Sequence, residues 1–278
     1  MEQRCYIESE PHTPLQIAST IKLSDSGTGP PVGRETCHVI VEAPLVIDVA
    51  NVGTFTVMAL PQNRRFLAVG FLLAEGIIDK VSDMALLNEC PDDPNVIRIQ
   101  LTNPGGKRTP NRNLVVTSSC GLCGNTALEQ LLDSLGSAPD TLRVSSTNIH
   151  GALNDMYARQ ELFKQSGGTH AAAIFDCHGE IIAFAEDIGR HNALDKVIGQ
   201  CLLEGRDGPG CGVALSGRVS LELVVKCARA GIELIAAISA PTSLAIAAAE
   251  KCNICLCAYA RKDRLTVFMH PHRVMEID

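Results

Sequence analysis

Two thiols stand three residues apart in Ser118-Ser119-Cys120-Gly121-Leu122-Cys123-Gly124, each followed by glycine, and a helical pattern follows over residues 125–132. Thiols at this spacing on a turn entering a helix can share a proton, a metal ion or a disulfide, and the helix N-terminus favours a thiolate. The glycines leave room for a large reactant. Structural zinc would need a second pair, which Cys252-Asn253-Ile254-Cys255 formally offers. That pair reads as a helix end running into a strand interior, whereas structural zinc pairs sit on exposed knuckle turns, so no zinc is expected. A thioredoxin-type motif would follow a strand in a domain of about one hundred residues, with an aromatic nearby. Here the pair comes mid-chain, after a charged loop and beside no aromatic, which favours an accessible thiol that hands on its cargo.

Three cationic segments could receive an anion. Residues 185–196 pack Glu186, Asp187, Arg190, His191 and Asn192 around a strand-to-helix turn, where backbone N–H groups and Arg190 can meet a phosphate. The competing reading is that Asp187 or Asn192 caps the helix while Arg190 pairs with an acid. Ser216-Gly217-Arg218 also lies between a strand and a helix, and its alternative is an ordinary turn with a solvated arginine. Tyr259-Ala260-Arg261-Lys262-Asp263-Arg264 sets three cations beside an aromatic at a strand end, a clamp for a base and its phosphates or else a solvated turn. His170, at a strand entry, reads more readily as hydrogen-bonded structure than as a catalyst. His178-Gly179-Glu180 matches half of the zinc deaminase signature, but Lys251 rather than proline precedes Cys252, so the match is accidental.

Residues 1–36 show no sustained period and read as a loose lead-in. Short β-branched runs over 38–41, 44–49 and 55–59, an amphipathic helix over 63–75 and a half-buried strand over 96–101 make a small mixed α+β domain spanning 37–117. From 118 to 278 strand-like and helical segments alternate, as in layered α/β domains. Strands are expected over 169–175, 180–184, 211–215, 232–238 and 255–259, and helices over 191–203, 221–230 and 243–251.

Composition bounds the remaining choices. The chain has 278 residues, 46% hydrophobic and 20% charged, which excludes disorder and allows one or two domains. The net charge of −7, with no long run of either sign, lacks the footprint of a nucleic-acid binder. Tryptophan is absent and aromatics make up 4%, too few for a base-stacking platform. The longest apolar stretch, 230–249, holds Glu233 and Pro241 and reads as a strand followed by a helix, not a membrane span. Residues 1–14 are polar and acidic, so no leader is read and a cytoplasmic location is expected. Twelve cysteines in such a chain should be reduced, with Cys177, Cys201, Cys211, Cys227 and Cys257 expected to pack as small hydrophobes.

Taken in order, Gly70-Phe71-Leu72-Leu73-Ala74-Glu75-Gly76-Ile77-Ile78, Cys120-Gly121-Leu122-Cys123-Gly124, Thr169-His170-Ala171-Ala172-Ala173, the segment Glu186 to Lys196 and the closing Thr266-Val267-Phe268-Met269-His270-Pro271 resemble the formate dehydrogenase accessory protein family, FdhD. The resemblance covers about residues 44–273. It implies a sulfurtransferase that accepts persulfide sulfur from a cysteine desulfurase and delivers it to the molybdenum cofactor destined for formate dehydrogenase. It places the persulfide on Cys120, with Cys123 available to resolve it. It also implies a cytidine-deaminase-like core without the deaminase zinc site, homodimers, and binding of the bis-molybdopterin guanine dinucleotide cofactor by the segment matching Tyr259, Ala260, Arg261, Lys262, Asp263 and Arg264. Asp263 departs from the glycine common in relatives and brings a negative charge near phosphates, which Arg261, Lys262 and Arg264 can outweigh. A cofactor chaperone using its cysteines only for packing, and a structural zinc protein, are the competing readings.

Overall fold

A computed structural model describes residues 13–23, 32–103, 132–133, 135–206, 208–261 and 264–275. The chain opens with a hairpin of β1 (Leu15–Leu23) and β2 (Val32–Ile40), paired antiparallel from Leu15↔Ile40 to Leu23↔Val32. These strands lie largely within the first 36 residues, where the sequence carries no period. Then β3 (Ala43–Val49), β4 (Gly53–Ala59), β5 (Met84–Glu89) and β6 (Val96–Leu101) form a sheet in the order β4-β3-β6-β5. Its strand β3 alternates, burying Leu45, Ile47 and Val49. Helix α1 (Arg64–Ala74) crosses from this sheet to the larger half of the molecule, burying Leu67, Ala68, Val69, Leu72 and Leu73.

The larger half is built on a six-stranded sheet of β8 (His170–Phe175), β9 (Ile181–Asp187), β10 (Gly212–Leu215), β11 (Leu234–Ala237), β12 (Cys255–Arg261) and β13 (Arg264–Met269), in the order β13-β12-β11-β10-β8-β9. Strands β10, β11 and β12 run parallel, while β8 is antiparallel to both β9 and β10. Both faces are covered, so the strands read as nearly unbroken apolar runs and side chains divide between faces at period two. Ala172, Ile174, Val213, Leu215, Ile235 and Leu256 join a core with α4 (Arg190–Leu203), α5 (Leu221–Arg229) and α6 (Ser243–Lys251). Ala171, Ala173, Phe175, Ala214, Leu234, Ala236, Cys255 and Cys257 face a second core with α2 (Ser146–Arg159). A short helix α3 (Glu161–Ser166), a two-stranded pairing of β7 (Val144–Ser145) with β14 (Val274–Met275), and single 3-10 turns at Val81–Asp83 and Pro271–Arg273 complete the described elements.

The first core is continuous with the small sheet, since it includes Leu45, Ile47, Ile97 and Ile99 together with α1 and α4. The architecture is therefore mixed and layered α/β, with α1 sandwiched between the small sheet and the helices of the large one. The 230–249 stretch divides into β11 and α6 as its Pro241 suggests. No helix among the described residues is long and apolar enough to cross a membrane.

Candidate functional site

The strand directions bring separate segments to one edge of the large sheet. The C-terminal ends of β9, β10, β11 and β12 and the first residues of β8 and β13 share that edge. His170 opens β8 and lies in register with Asp187, which closes β9. Ser216, Gly217 and Arg218 follow β10, and Tyr259, Ala260 and Arg261 close β12. In layered α/β sheets this is the edge where ligands gather.

Four positively charged or chargeable groups, His170, Arg190, His191 and Arg218, gather there. The Ala171 N–H donates to Ser216 Oγ at 2.8 Å, and Ser216 Oγ stands 3.5 Å from His170 Nδ1. Gly217 packs closely here, since a methyl group at its position would lie 3.2 Å from His170 Nδ1 and 3.5 Å from the Arg190 β-carbon, and the ring would have to give by a few tenths of an ångström. Burial, then Arg190, Arg218 and His191, hold the His170 ring below its usual protonation range. Arg190 is the first residue of α4, and its Nε is buried without a hydrogen-bond partner. Among the described residues no carboxylate is ion-paired with Arg190 or Arg218. The nearby Glu222 is already committed, its Oε2 lying 2.8 Å from His191 Nε2, and that bond holds its carboxyl below the ordinary range. Positive charge without a matching acid, beside the N-terminal end of a helix, is an arrangement suited to an anion.

The acids of the 185–196 segment hold the site rather than neutralise it. The fully buried Asp187 accepts hydrogen bonds from Gly189 N–H at 3.2 Å, Asn192 Nδ2 at 2.9 Å and Leu60 N–H at 3.2 Å, and its Oδ2 lies 2.6 Å from Lys196 Nζ. Asn192 Nδ2 also donates to the Met58 carbonyl at 2.8 Å, tying the turn to β4 of the small sheet. Glu186 accepts from Leu162 N–H, Phe163 N–H and Thr169 Oγ1 at 2.7–3.0 Å. Neither Asp187 nor Asn192 is a side-chain cap of α4, whose N-cap residue is Gly189. A second buried pair, Asp195 with Lys226 at 2.7 Å, joins α4 to α5.

At the β12 end, Tyr259 is exposed and adopts φ +53°, a left-handed conformation uncommon outside glycine and asparagine, within an irregularity between Ala258 and Arg261. Its ring leans on Phe268, centroids 6.1 Å apart. Ala260 is buried, while Arg261 and Arg264 are exposed on the adjacent strands. Cys120, Cys123, Lys262 and Asp263 lie outside the described residues, as does most of the helical pattern expected over 125–132. His170, which the sequence reads as hydrogen-bonded structure, does stand beside the Ser216 hydroxyl, and its charged neighbours come from positions 190, 191 and 218. The remaining motifs lie elsewhere. The turn with His178-Gly179-Glu180 sits at the opposite edge, its backbone organised by Asp176 Oδ1, and Cys252 and Cys255 are both buried. Cys201, Cys211, Cys227 and Cys257 are buried as expected, whereas Cys177 is exposed because the hairpin turn after β8 turns it outward.

The family model described as the FdhD/NarQ family matches residues 40–275, nearly all of the described structure. The chain belongs to the FdhD/NarQ family. FdhD relatives follow the same line. A sulfur carrier protein FdhD from Thermoplasma acidophilum is 38% identical over 245 residues, covering 85% of this chain and 86% of that protein. One from Mycolicibacterium paratuberculosis is 34% identical over 272 residues, covering 94% of this chain and all of that protein. A crystal structure described as that of a formate dehydrogenase accessory protein from Desulfotalea psychrophila superposes with a TM-score of 0.77 at 25% identity, over 95% of this chain and 100% of that one. The mixed α/β architecture is thus that of a solved FdhD-type protein.

Proposed function

We propose that this chain is a sulfurtransferase that carries persulfide sulfur on Cys120 from a cysteine desulfurase to the molybdenum cofactor, in its bis-molybdopterin guanine dinucleotide form, for the maturation of formate dehydrogenase. Support comes from membership of the FdhD/NarQ family and from relatives named sulfur carrier proteins. The observation that carries the reading to this molecule is the cluster of Arg190, Arg218 and His170 at one sheet edge, where no carboxylate among the described residues is ion-paired with either arginine. The cargo is polyanionic, and its pyrophosphates are suited to guanidinium forks. Tyr259, Ala260, Arg261, Lys262, Asp263 and Arg264 form the second part of the cofactor-binding surface, where an exposed aromatic offers a face to a guanine ring.

The transfer step follows from thiol chemistry. The Cys120 thiolate attacks the outer sulfur of the desulfurase persulfide, the new S–S bond forms on Cys120, and the old one breaks to release the desulfurase thiolate. On delivery the S–S bond breaks with its electron pair left on Cys120 as the thiolate, and the outer, sulfane sulfur bonds through an electron pair supplied by the reduced metal centre of the cargo. In a resolving variant of the cycle, Cys123 attacks the inner sulfur, expels hydrosulfide and leaves a Cys120–Cys123 disulfide, which a dithiol reductant must reduce, itself becoming a disulfide, before the next round. The protein works in the cytoplasm as a homodimer, with a deaminase-type layered core that has given up the zinc chemistry of that fold. Formate dehydrogenase activity in cells relying on this chain tests the reading: Cys120→Ala should abolish it, and full activity with that variant would overturn it.

A further inference from the structure

We propose that His170 couples anion binding to proton uptake: a neutral imidazole in the free protein, it becomes an imidazolium when a phosphate-like dianion settles against Arg190 and Arg218. The inference rests on the anion-site reading above and gives a role there to His170, which no motif argument assigns. The ring is half-buried at the start of β8. From α4 it faces Arg190 and His191, and from the turn after β10 it faces Arg218 and Ser216. From β9 the register places Asp187 opposite it, but that carboxylate is taken up by Lys196, Leu60, Gly189 and Asn192. The acid contributed by α5, Glu222, is bonded to His191. Among the described residues no acid is left to balance a charge on His170, and burial among cations disfavours the charged ring.

Ser216 accommodates either state. Its hydroxyl already accepts the Ala171 N–H at 2.8 Å, and it retains one hydrogen and one further lone pair. At 3.5 Å from Nδ1 it can donate to a neutral ring or accept from a charged one by rotating its O–H. A dianion seated against the two arginines cancels the positive field they set up at the ring and offers it an acceptor, so a proton is drawn from solvent onto His170. The imidazolium then adds a charge-assisted donor to the anion. By linkage, the anion binds more tightly at low pH, and this advantage is lost as pH rises through the ring's value in the complex.

Inorganic sulfate is the probe, since it stays dianionic across the range in which histidine titrates. The histidine ring resonances of the full chain are followed by NMR from pH 5 to 8 with and without sulfate, and the His170 signal is assigned by its loss in His170→Gln. Expected are a His170 midpoint below 6.5 without sulfate and a rise of about one unit or more at saturation, with sulfate affinity falling about tenfold across the range. His170→Gln should flatten that dependence, and Arg218→Gln should weaken binding at every pH. Sulfate binding that depends on Arg218 while the His170 midpoint stays put would overturn the proton coupling and leave the anion site standing. Sulfate that perturbs nothing at this edge would overturn both.

Discussion

Gly70 and Asp195 meet backbone to backbone: a β-carbon on Gly70 would lie 1.8 Å from the Asp195 carbonyl oxygen, and one on Gly199 would lie 1.9 Å from that of Phe66. Helices α1 and α4 thus touch without intervening side chains, and α4 is the helix that presents Arg190. Gly70→Ala should cost about 3 kcal/mol or more, because the wall it meets is main chain and cannot rotate away. Urea unfolding checks this against Gly151→Ala in α2, where nothing lies within 4 Å and the substitution should stabilise by about 0.5–1 kcal/mol.

The Asp187–Lys196 pair has both side chains fully buried. Lys196→Met strands the carboxylate and should lower stability by about 3 kcal/mol. Adding Asp187→Asn to that variant removes the buried charge and should restore much of the loss, read as a recovery in the denaturation midpoint. Equal instability of the double variant would show that the hydrogen bonds of Asp187, rather than its charge, hold the turn.

Glu233 is buried and accepts from Thr141 N–H, Thr141 Oγ1, Leu142 N–H and Gly210 N–H at 2.5–2.8 Å, with Arg273 Nε 3.5 Å away. Against the upward push of burial, these bonds hold its carboxyl below the ordinary 4.5. A depressed native value means its contribution is complete above about 4.5 and is lost as pH falls through the native value. Glu233→Gln should therefore destabilise at neutral pH by about 3 kcal/mol and flatten the acid limb of the stability profile. An unchanged acid limb would assign it to other carboxylates.

Arg218 is exposed and Gly217 beside it is buried. Arg218→Ala should leave the unfolding midpoint within about 0.5 kcal/mol of wild type while weakening guanosine diphosphate binding by about tenfold or more, a loss of about 1.5–3 kcal/mol. Calorimetry at two salt concentrations checks it, since removal of one phosphate contact also lowers the salt dependence.

Much of this was legible in the sequence. Strands ending before glycine-containing turns, with helices after them, locate Arg190 and Arg218 at a ligand edge, and strand β6 and helix α6 fall where periodicity places them. The hairpin β1–β2 escapes because a two-stranded sheet imposes no sustained buried face. Helix α2 carries a narrow stripe, Ile149, Ala152, Leu153 and Met156, behind Ser145 as its N-cap, and does not stand out from its polar surroundings. Nothing in the sequence marks Lys196 and Asp195 as buried, since charge rarely is, yet each finds its partner on another element. His170 depends on β8 pairing with β10, a relation between residues 46 apart that no local pattern reveals.

Cys120 and Cys123 divide the proposed chemistry unequally. Cys120→Ala should abolish formate dehydrogenase maturation, whereas Cys123→Ala should reduce it while leaving persulfide loading intact. Activity assays in cells carrying each variant check the contrast, and equal loss in both would make the two thiols a single functional unit.

The most direct measurement mixes the full chain with a cysteine desulfurase and cysteine, then maps bound sulfane sulfur by peptide mass spectrometry. A single added sulfur on Cys120, absent when the desulfurase is omitted, is the expected result. Sulfur found only on other cysteines, or none at all while an established carrier loads in the same mixture, would contradict the account.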